Sequence, residues 1–461
     1  MLPDQNWAPG NSTPAPRRHP AMSRLKSSDS PLSRREFLGS SALNAASVAA
    51  GVVGLTGAAA AASGGPNEMV RVGVIGVRNQ GKTLATTFAG LPQVQVAALC
   101  DVDADLLPGI GRAVESIQGT TPKFEGDFRR LLENPSIDAI AIAAPDHWHA
   151  LMTVLACQAG KDVYVESPVS HSLLEGPAMR VVAEAEDRVV QSGLQQRSGS
   201  HFRSAIEFLH SGRLGAVHLA KAWTVHQRKT IGYRKDTVSP PGVNYDLWLG
   251  PAPLAAFNPN RFHYNWHWFW DYGSGELGNW GVHLLDVARW GLQVELPAQV
   301  AATGGKHYFQ DDQQTPDTLH VNYAYPGCTI TWEHRLWSPH GQEGRSAAVA
   351  FYGDRGTLIV DRGGWKVYGQ RDALAAEPGD LLGPHLQDFI DCVRTRRRPA
   401  ADLSVGMTSS ALCHLGNMAY RLGRNLQVDP SKGTVDLSQS ERGLVTCGYR
   451  APWSRHATSF A

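Results

Sequence analysis

The chain has 461 residues, of which 42% are hydrophobic, and its formal net charge is +1. A chain of this length is long enough for roughly two domains. The near-neutral charge argues against a nucleic-acid partner. The six cysteines follow no metal-ligand spacing, so they predict no metal site. Their even number leaves disulfides open, although we expect mostly buried thiols.

The N-terminal segment carries a twin arginine, Arg34-Arg35, ahead of a mildly apolar run from Leu43 to Ala62. This pattern is typical of a bacterial Tat signal peptide, and the end of the run is similar to its cleavage site. We therefore interpret residues 1–62 as a signal for periplasmic location or secretion, with no stable membrane insertion after cleavage. The alternative is a membrane anchor, which the weak apolarity of the run disfavours. Because Tat exports folded proteins, a cofactor would be loaded before export and held tightly.

After this segment, short apolar strands alternate with helices. The alternation predicts an α/β domain, a doubly wound parallel sheet of the Rossmann type, over residues 68–195. A helix is predicted to start near Thr83. The predicted strands span 70–76, 94–98, 137–143, 163–165 and 189–191.

The first predicted strand ends in a glycine turn, Gly76-Val77-Arg78-Asn79-Gln80-Gly81. Such a turn lets a dinucleotide pyrophosphate approach a helix N-terminus. Arg78 occupies the usual place of the second glycine, so its side chain must turn away or pair with the phosphates. Asp101 ends the second strand and can accept hydrogen bonds from a ribose diol, which favours NAD and leaves NADP open. The predicted cofactor-binding residues here are Gly76, Arg78, Asn79, Gln80, Gly81 and Asp101. The alternative is a Rossmann-like fold that binds no nucleotide.

From residue 196 to 461 the pattern changes to consecutive strands joined by tight turns. It predicts an α+β domain with a large, open, mostly antiparallel sheet. The stretch 233–272 is long and lacks periodicity, and a loop of this length is usually functional. The predicted strands are 217–225, 300–303, 318–325, 329–334, 347–352 and 357–360, and the predicted helices are 201–210, 385–394 and 406–422.

Three stretches carry a more specific pattern: Ala-Pro-Asp-His-Trp-His at 144–149, Gly-Lys-Asp-Val-Tyr-Val-Glu-Ser-Pro at 160–168, and the stretch 265–283, which ends in Gly-Asn-Trp-Gly-Val-His. Together they resemble the Gfo/Idh/MocA family, the glucose-fructose oxidoreductase and inositol dehydrogenase-like enzymes. The last stretch is similar to a secreted, Tat-exported branch of that family. The resemblance runs from about residue 70 to 424. It implies a carbohydrate pocket between the nicotinamide and the open sheet, and a homo-oligomer.

The resemblance also implies a catalytic set. In the family, a Glu-Lys-Pro loop supplies a lysine near the reacting hydroxyl, and here Ser167 stands in that place after Glu166. The family pairs an Asp with a His four residues later on one helix, and the matching residues are Asn279 and His283. We expect Glu166 to position the nicotinamide ribose. His283 is expected to carry the proton, alone or with help from the residues His263, Tyr264 and His267.

Other residues complete the predicted pocket. The two-residue spacing of His147 and His149 would suit a metal, but no third ligand is evident, so we predict none. Further cofactor contacts are predicted at Pro145, His147, His149 and Gln195, and substrate contacts at Arg197, His263, Trp266 and Trp268.

We thus expect an exported NAD(P)-dependent oxidoreductase that acts on a carbohydrate hydroxyl and holds its cofactor tightly. Because Ser167 and Asn279 depart from the family pattern, two alternatives stay open. One is a redox-neutral glycosidase or lyase that uses the same bound cofactor. The other is a non-catalytic sugar-binding protein.

Overall fold

The computed structural model describes residues 69–370, 375–446 and 448–460. The predicted signal peptide, residues 1–62, lies outside the described residues. Within them, no helix has the length and apolarity that a membrane crossing requires. The five cysteines of this part are free, and four of them are buried.

The N-terminal sheet has six parallel strands in the order β3-β2-β1-β4-β5-β6, which confirms the predicted doubly wound sheet. The central strands β1 and β4 are buried on both faces apart from Arg71, in agreement with their nearly continuous apolar runs. The strands are β1 Val70–Ile75, β2 Val94–Cys100, β3 Lys123–Glu125, β4 Ala139–Ile142, β5 Asp162–Val165 and β6 Val190–Ser192. The helices are α1 Gln80–Ala89, α2 Leu107–Gln118, α3 Arg129–Leu132, α4 Asp146–Gln158 and α5 Glu175–Ala185.

Two local predictions for this sheet were wrong. Helix α1 begins at Gln80, earlier than the expected start near Thr83, so the glycine turn leads directly into the helix. Strand β3 was not predicted, because its polar sequence, with a single aromatic residue, carries no strand pattern.

The second sheet has ten strands in the order β14-β13-β12-β11-β7-β10-β9-β8-β15-β16. Every pairing is antiparallel except that of β7 with β10, which confirms a mostly antiparallel sheet. The strands are β7 Val217–Val225, β8 Gln299–Gly305, β9 Thr318–Tyr325, β10 Cys328–Arg335, β11 Ala347–Gly353, β12 Gly356–Asp361, β13 Gly364–Tyr368, β14 Ala375–Ala376, β15 Leu426–Asp429 and β16 Thr434–Val435. The helices are α6 Ser200–His210, α7 Tyr245–Leu249, α8 Val282–Leu292, α9 Leu382–Thr395 and α10 Leu403–Leu422.

Helices join the two sheets. Helix α9 returns to the N-terminal sheet, where Phe389 packs edge-on against Phe88 and Tyr164. Helices α8 and α10 cover one face of the ten-stranded sheet in a single apolar core. The long stretch 233–272 forms an aromatic cluster of its own around Trp248 and Phe262. This cluster and helix α8 therefore face the carboxyl ends of the parallel strands.

Candidate active site

A cavity of about 530 Å³ lies at the carboxyl edge of the parallel sheet. This edge is where ligands bind in open α/β sheets, because the strands and the helix N-termini converge there. The opposite wall comes from the residues around 262–267, from the stretch before α8, and from the turn between β12 and β13. The strand-end residues that line the cavity include Gly76, Asp101, Pro145, Glu166 and Gln195.

The glycine turn provides an anion cradle at one end of the cavity. Gly76 has a φ of +78°, which glycine adopts without strain. A Cβ on Gly81 would lie 1.7 Å from the Gly76 carbonyl oxygen, so only a glycine allows the turn to close here. Gly81 itself does not line the cavity. Among the described residues, no acceptor pairs with the backbone N–H groups of Arg78, Asn79 and Gln80. These free amides at the start of α1 fit a pyrophosphate. The Arg78 side chain is exposed and lines the cavity without filling it.

Asp101 connects the cradle to the second strand. Its Oδ2 accepts the Val77 N–H at 2.8 Å, and its Oδ1 accepts the Asp103 N–H at 3.0 Å. Burial raises the pKa of Asp101. Since each carboxylate oxygen can accept more than one hydrogen bond, acceptor capacity remains for a ribose diol.

Glu166 links the cradle to the centre of the cavity. Its Oε1 accepts hydrogen bonds from Gln80 Nε2 at 3.0 Å, from the Tyr164 hydroxyl at 3.3 Å and from Gln195 Nε2 at 3.4 Å. Burial raises the pKa of Glu166 to about 7. A carboxyl group with this pKa is only partly ionised at neutral pH. The neighbouring Ser167 Oγ is buried and has no hydrogen-bond partner among the described residues.

Asn279 and His283 both line the cavity, but they do not share one regular helix as predicted. Asn279 lies in a π-helical turn, Leu277–Gly281, and His283 lies in the first turn of α8. Such turns are frequent at functional sites. The Nδ1 atom of His283 has no partner in the described part of the chain, and burial lowers the pKa of the ring to about 3. His283 is therefore a neutral imidazole.

A buried carboxylate, Glu276, organises the residues around Asn279. It accepts hydrogen bonds from Arg228 Nη2 at 2.9 Å and from Asn279 Nδ2 at 3.2 Å, and His226 Nδ1 lies 2.9 Å away. Burial alone would raise the pKa of Glu276, but Arg228 and His226 lower it to about 2. Because the Asn279 amide nitrogen is committed to Glu276, its Oδ1 stays available as an acceptor.

The same arginine reaches Tyr264. Arg228 Nη1 donates to the Tyr264 hydroxyl oxygen at 2.9 Å, so the phenol proton remains free to donate elsewhere. Tyr264 lines the cavity. Since Arg228 and Glu276 connect Tyr264 to Asn279, the phenol and the amide lie at the same end of the cavity. Sequence reasoning raised Tyr264 only as an auxiliary to His283, and no local pattern predicts its contact with Arg228.

Five other predicted residues also line the cavity. They are His263, Trp266 and His267, within the long irregular stretch, and Pro145 and His149, at the start of α4. His263 Nε2 lies 3.2 Å from a carboxylate oxygen of Asp103. Burial lowers the pKa of His149, and its two ring nitrogens lie 2.6 and 2.7 Å from backbone carbonyl oxygens. His149 is therefore fixed by the backbone.

The structure places His147, predicted as a cofactor contact, outside the lining of the large cavity. Its ring is buried outside the large cavity, with Nε2 3.1 Å from the Trp248 carbonyl oxygen and Nδ1 3.4 Å from that of Tyr272. The described ranges also contain no group of three or more His, Cys, Asp or Glu side chains that could hold a metal ion.

Two predicted substrate residues also lie outside the cavity lining. Arg197 forms an ion pair with buried Asp286 at 2.8 Å and packs over Trp290. Trp268 is 3% exposed and belongs to the aromatic cluster. Both side chains are committed to the protein interior, and neither lines the cavity.

Sequence reasoning missed Arg362 and Trp280, which line the cavity and contact each other. Trp280 stands between Asn279 and His283, so its place in that motif was an available signal. Arg362 lies in a turn, Asp-Arg-Gly-Gly, that resembles any exposed hairpin, and its sequence gives no indication of a role.

Comparisons with known proteins identify the fold and the family. Residues 70–194 match the model of an oxidoreductase family, NAD-binding Rossmann fold, and residues 221–455 match that family's C-terminal alpha/beta domain. A glycosyl hydrolase family 109 protein of Saccharopolyspora erythraea is 30% identical over 50% of this chain and 56% of its own length. The chain thus spans about half the length of the curated relatives it matches.

Solved structures share the fold at low identity. Aldose-aldose oxidoreductase from Caulobacter crescentus, complexed with glycerol, aligns with a TM-score of 0.61 and 19% identity over 78% of this chain and 100% of its own. Levoglucosan dehydrogenase, in complex with NADH and levoglucosan, aligns with a TM-score of 0.61 and 16% identity over 78% and 99%. The free amides of the glycine turn fit the cofactor that the family model specifies. The chain belongs to the Gfo/Idh/MocA family of oxidoreductases, and its Rossmann fold is an NAD-binding one.

Proposed function

We propose that this protein is an exported NAD-dependent oxidoreductase that acts on a hydroxyl group of a carbohydrate. One observation carries the proposal. A single cavity joins the free amides of the glycine turn to a second end where Asn279, His283 and Tyr264 meet. The sugar-related names of the similar proteins support the substrate class.

Bound NAD would supply the hydride chemistry, and the residues of the chain do the rest. The amides after Gly76 hold the pyrophosphate, and Asp101 accepts hydrogen bonds from a ribose. Asn279 Oδ1 and the neutral His283 ring orient the sugar by hydrogen bonds to its hydroxyl groups. Orientation of this kind removes much of the entropic barrier.

Proton transfer is assigned to Tyr264. Its phenol lies against the Arg228 guanidinium, whose positive charge stabilises a negatively charged oxygen at this position. Tyr264 can therefore give its proton to a carbonyl oxygen or take one from a hydroxyl. This arrangement compensates for Ser167, which provides neither charge nor a base in place of the family lysine.

A redox-neutral glycosidase is the second candidate, because a relative that is 30% identical is named as a glycosyl hydrolase. Absorbance of the reduced nicotinamide during incubation with sugars separates the two. We expect the absorbance to change with a free sugar in step with product. Cleavage of a glycoside with no net change in absorbance would favour the second candidate. A protein that contains no dinucleotide would instead be a sugar-binding protein.

Export and assembly form part of the proposal. A substitution of both arginines, Arg34→Lys and Arg35→Lys, should retain the protein in the cytoplasm of a bacterium that has a Tat system. Wild-type protein found in equal amounts in the cytoplasm would contradict export. We also propose a homo-oligomer, and light scattering of the purified protein measures its mass.

A further inference from the structure

Arg362 places a guanidinium group in the cavity that forms no ion pair in the described part of the chain. It lies in the turn between β12 and β13, is exposed to the cavity, and its guanidinium carbon lies 4.6 Å from the ring centre of Trp280. The neighbouring Asp361 does not pair with it, because its carboxylate binds Arg345 at 2.6 Å and the Gly363 N–H at 2.8 Å. Within the described ranges, no carboxylate forms an ion pair with Arg362.

Three carboxyl groups line the cavity, Asp101, Asp146 and Glu166, and each accepts hydrogen bonds from its own neighbours. Burial raises the pKa of Asp146 and of Glu166 to about 7, so each carries only part of a negative charge at neutral pH. Glu166 attracts the Arg362 guanidinium without forming an ion pair with it. Within the described ranges, the N–H donors of Arg362 therefore remain available to a ligand.

Arg362 lies at the sugar end of the cavity. It packs on Trp280, which stands between Asn279 and His283 in the chain, and all four residues line the cavity. The pyrophosphate cradle at Arg78 lies on the opposite wall, after the carboxyl end of β1.

A guanidinium group presents a planar fork of N–H donors that matches a carboxylate. Resting on the function proposed above, we propose that the substrate is a sugar acid, a uronate whose carboxylate pairs with Arg362 while Asn279, His283 and Tyr264 hold the reacting hydroxyl. Trp280 keeps the guanidinium in place beneath the ligand, since a cation over an aromatic face is attracted to it.

The test compares matched sugars on the holoenzyme. D-glucuronate is compared with D-glucose, and D-galacturonate with D-galactose, by kcat/KM and by calorimetric binding. Glucose 6-phosphate and glucose 6-sulfate are included as sugars that carry a different anionic group. The uronates should bind better than the neutral hexoses and the two other anions. Arg362→Gln should weaken uronate binding about 10- to 100-fold, the range for a lost hydrogen bond to a charged group, and weaken hexose binding much less.

A matched control is Arg355→Gln, which removes an exposed arginine from the neighbouring hairpin turn. It should not change uronate binding, and Arg362→Lys should give an intermediate affinity because it keeps the charge and loses the fork. The inference is overturned if the uronates bind no better than the hexoses, or if the phosphate or sulfate ester is preferred. It is also overturned if Arg362→Gln lowers kcat equally for charged and neutral sugars. If wild-type protein oxidises neutral sugars with no preference for uronates, the proposed function stands and this inference fails; if no sugar binds, both fail.

Discussion

The buried carboxylate of Glu276 gives the sharpest energetic prediction. We consider Glu276→Gln, which keeps the shape of the side chain but removes the charge that faces Arg228 and His226. The pKa of Glu276 is about 2 in the folded chain against an ordinary value of 4.5, and at 1.36 kcal/mol per pKa unit this difference corresponds to about 3 kcal/mol of stability. The loss of one partner of a buried pair costs about 3–5 kcal/mol, which agrees with that figure.

The pH dependence follows from the direction of this shift. Because the folded pKa is depressed, the stabilisation is complete above about pH 4.5 and disappears as the pH falls toward about 2. The difference between wild type and variant should therefore be largest at neutral pH and shrink in acid. Turnover should also fall, since Asn279 and Tyr264 lose the group that organises them.

The assay is urea unfolding followed by tryptophan fluorescence, with NAD saturating both proteins, at a series of pH values from neutral to acidic. The control is Glu133→Gln, because Glu133 pairs with Arg130 on the surface with both side chains more than 60% exposed. An exposed pair of this kind contributes at most about 1 kcal/mol. If Glu276→Gln costs no more than the control, or if its effect does not depend on pH, the reasoning about this network is refuted.

Three further predictions concern the cofactor and the proton. Gly81→Ala places a Cβ 1.7 Å from a backbone oxygen and should abolish NAD retention. The control Gly109→Ala, whose added Cβ has no other atom within 4 Å, should still retain NAD. Equal NAD retention by the two variants would contradict the pyrophosphate cradle. Tyr264→Phe should lower turnover by roughly 10²–10⁴-fold and flatten the pH profile of turnover, with NAD still bound. The control Tyr233→Phe changes a residue that is 69% exposed and should have no effect. Unchanged turnover in Tyr264→Phe would show that Tyr264 does not transfer the proton. Ser167→Lys should not raise turnover, because Tyr264 already moves the proton, and a rise would show that the missing lysine limits the wild type.

The sequence predicted the elements whose side chains follow a strong local pattern. Strands β7 and β9 were predicted to the residue, and the glycine turn with Asp101 was recognised from its order along the chain. Strand β13, Gly364–Tyr368, was missed because it is short and opens with a glycine. Local pattern is thus sufficient for strands with a continuous apolar or alternating sequence but not for a short strand that lacks one.

The side chains of the site were harder to predict than its position. The sequence did not indicate that His147 would lie outside the cavity. The start of α4 places Asp146 and His149, three residues apart, on the face toward the cavity and His147 on another face. Arg362 could not be predicted, because only the packing of the second sheet brings its turn beside Trp280. Contacts between residues far apart in sequence decide which polar groups meet, and a single sequence does not carry that information.

The most direct measurement of the central claim is the dinucleotide content of the purified protein. After denaturation, the wild-type protein should release NAD in an amount equimolar with the chain, and Gly81→Ala should release little. If the wild type releases no dinucleotide and takes up none when NAD is added, the cavity at the edge of the parallel sheet does not hold the cofactor and the account is contradicted.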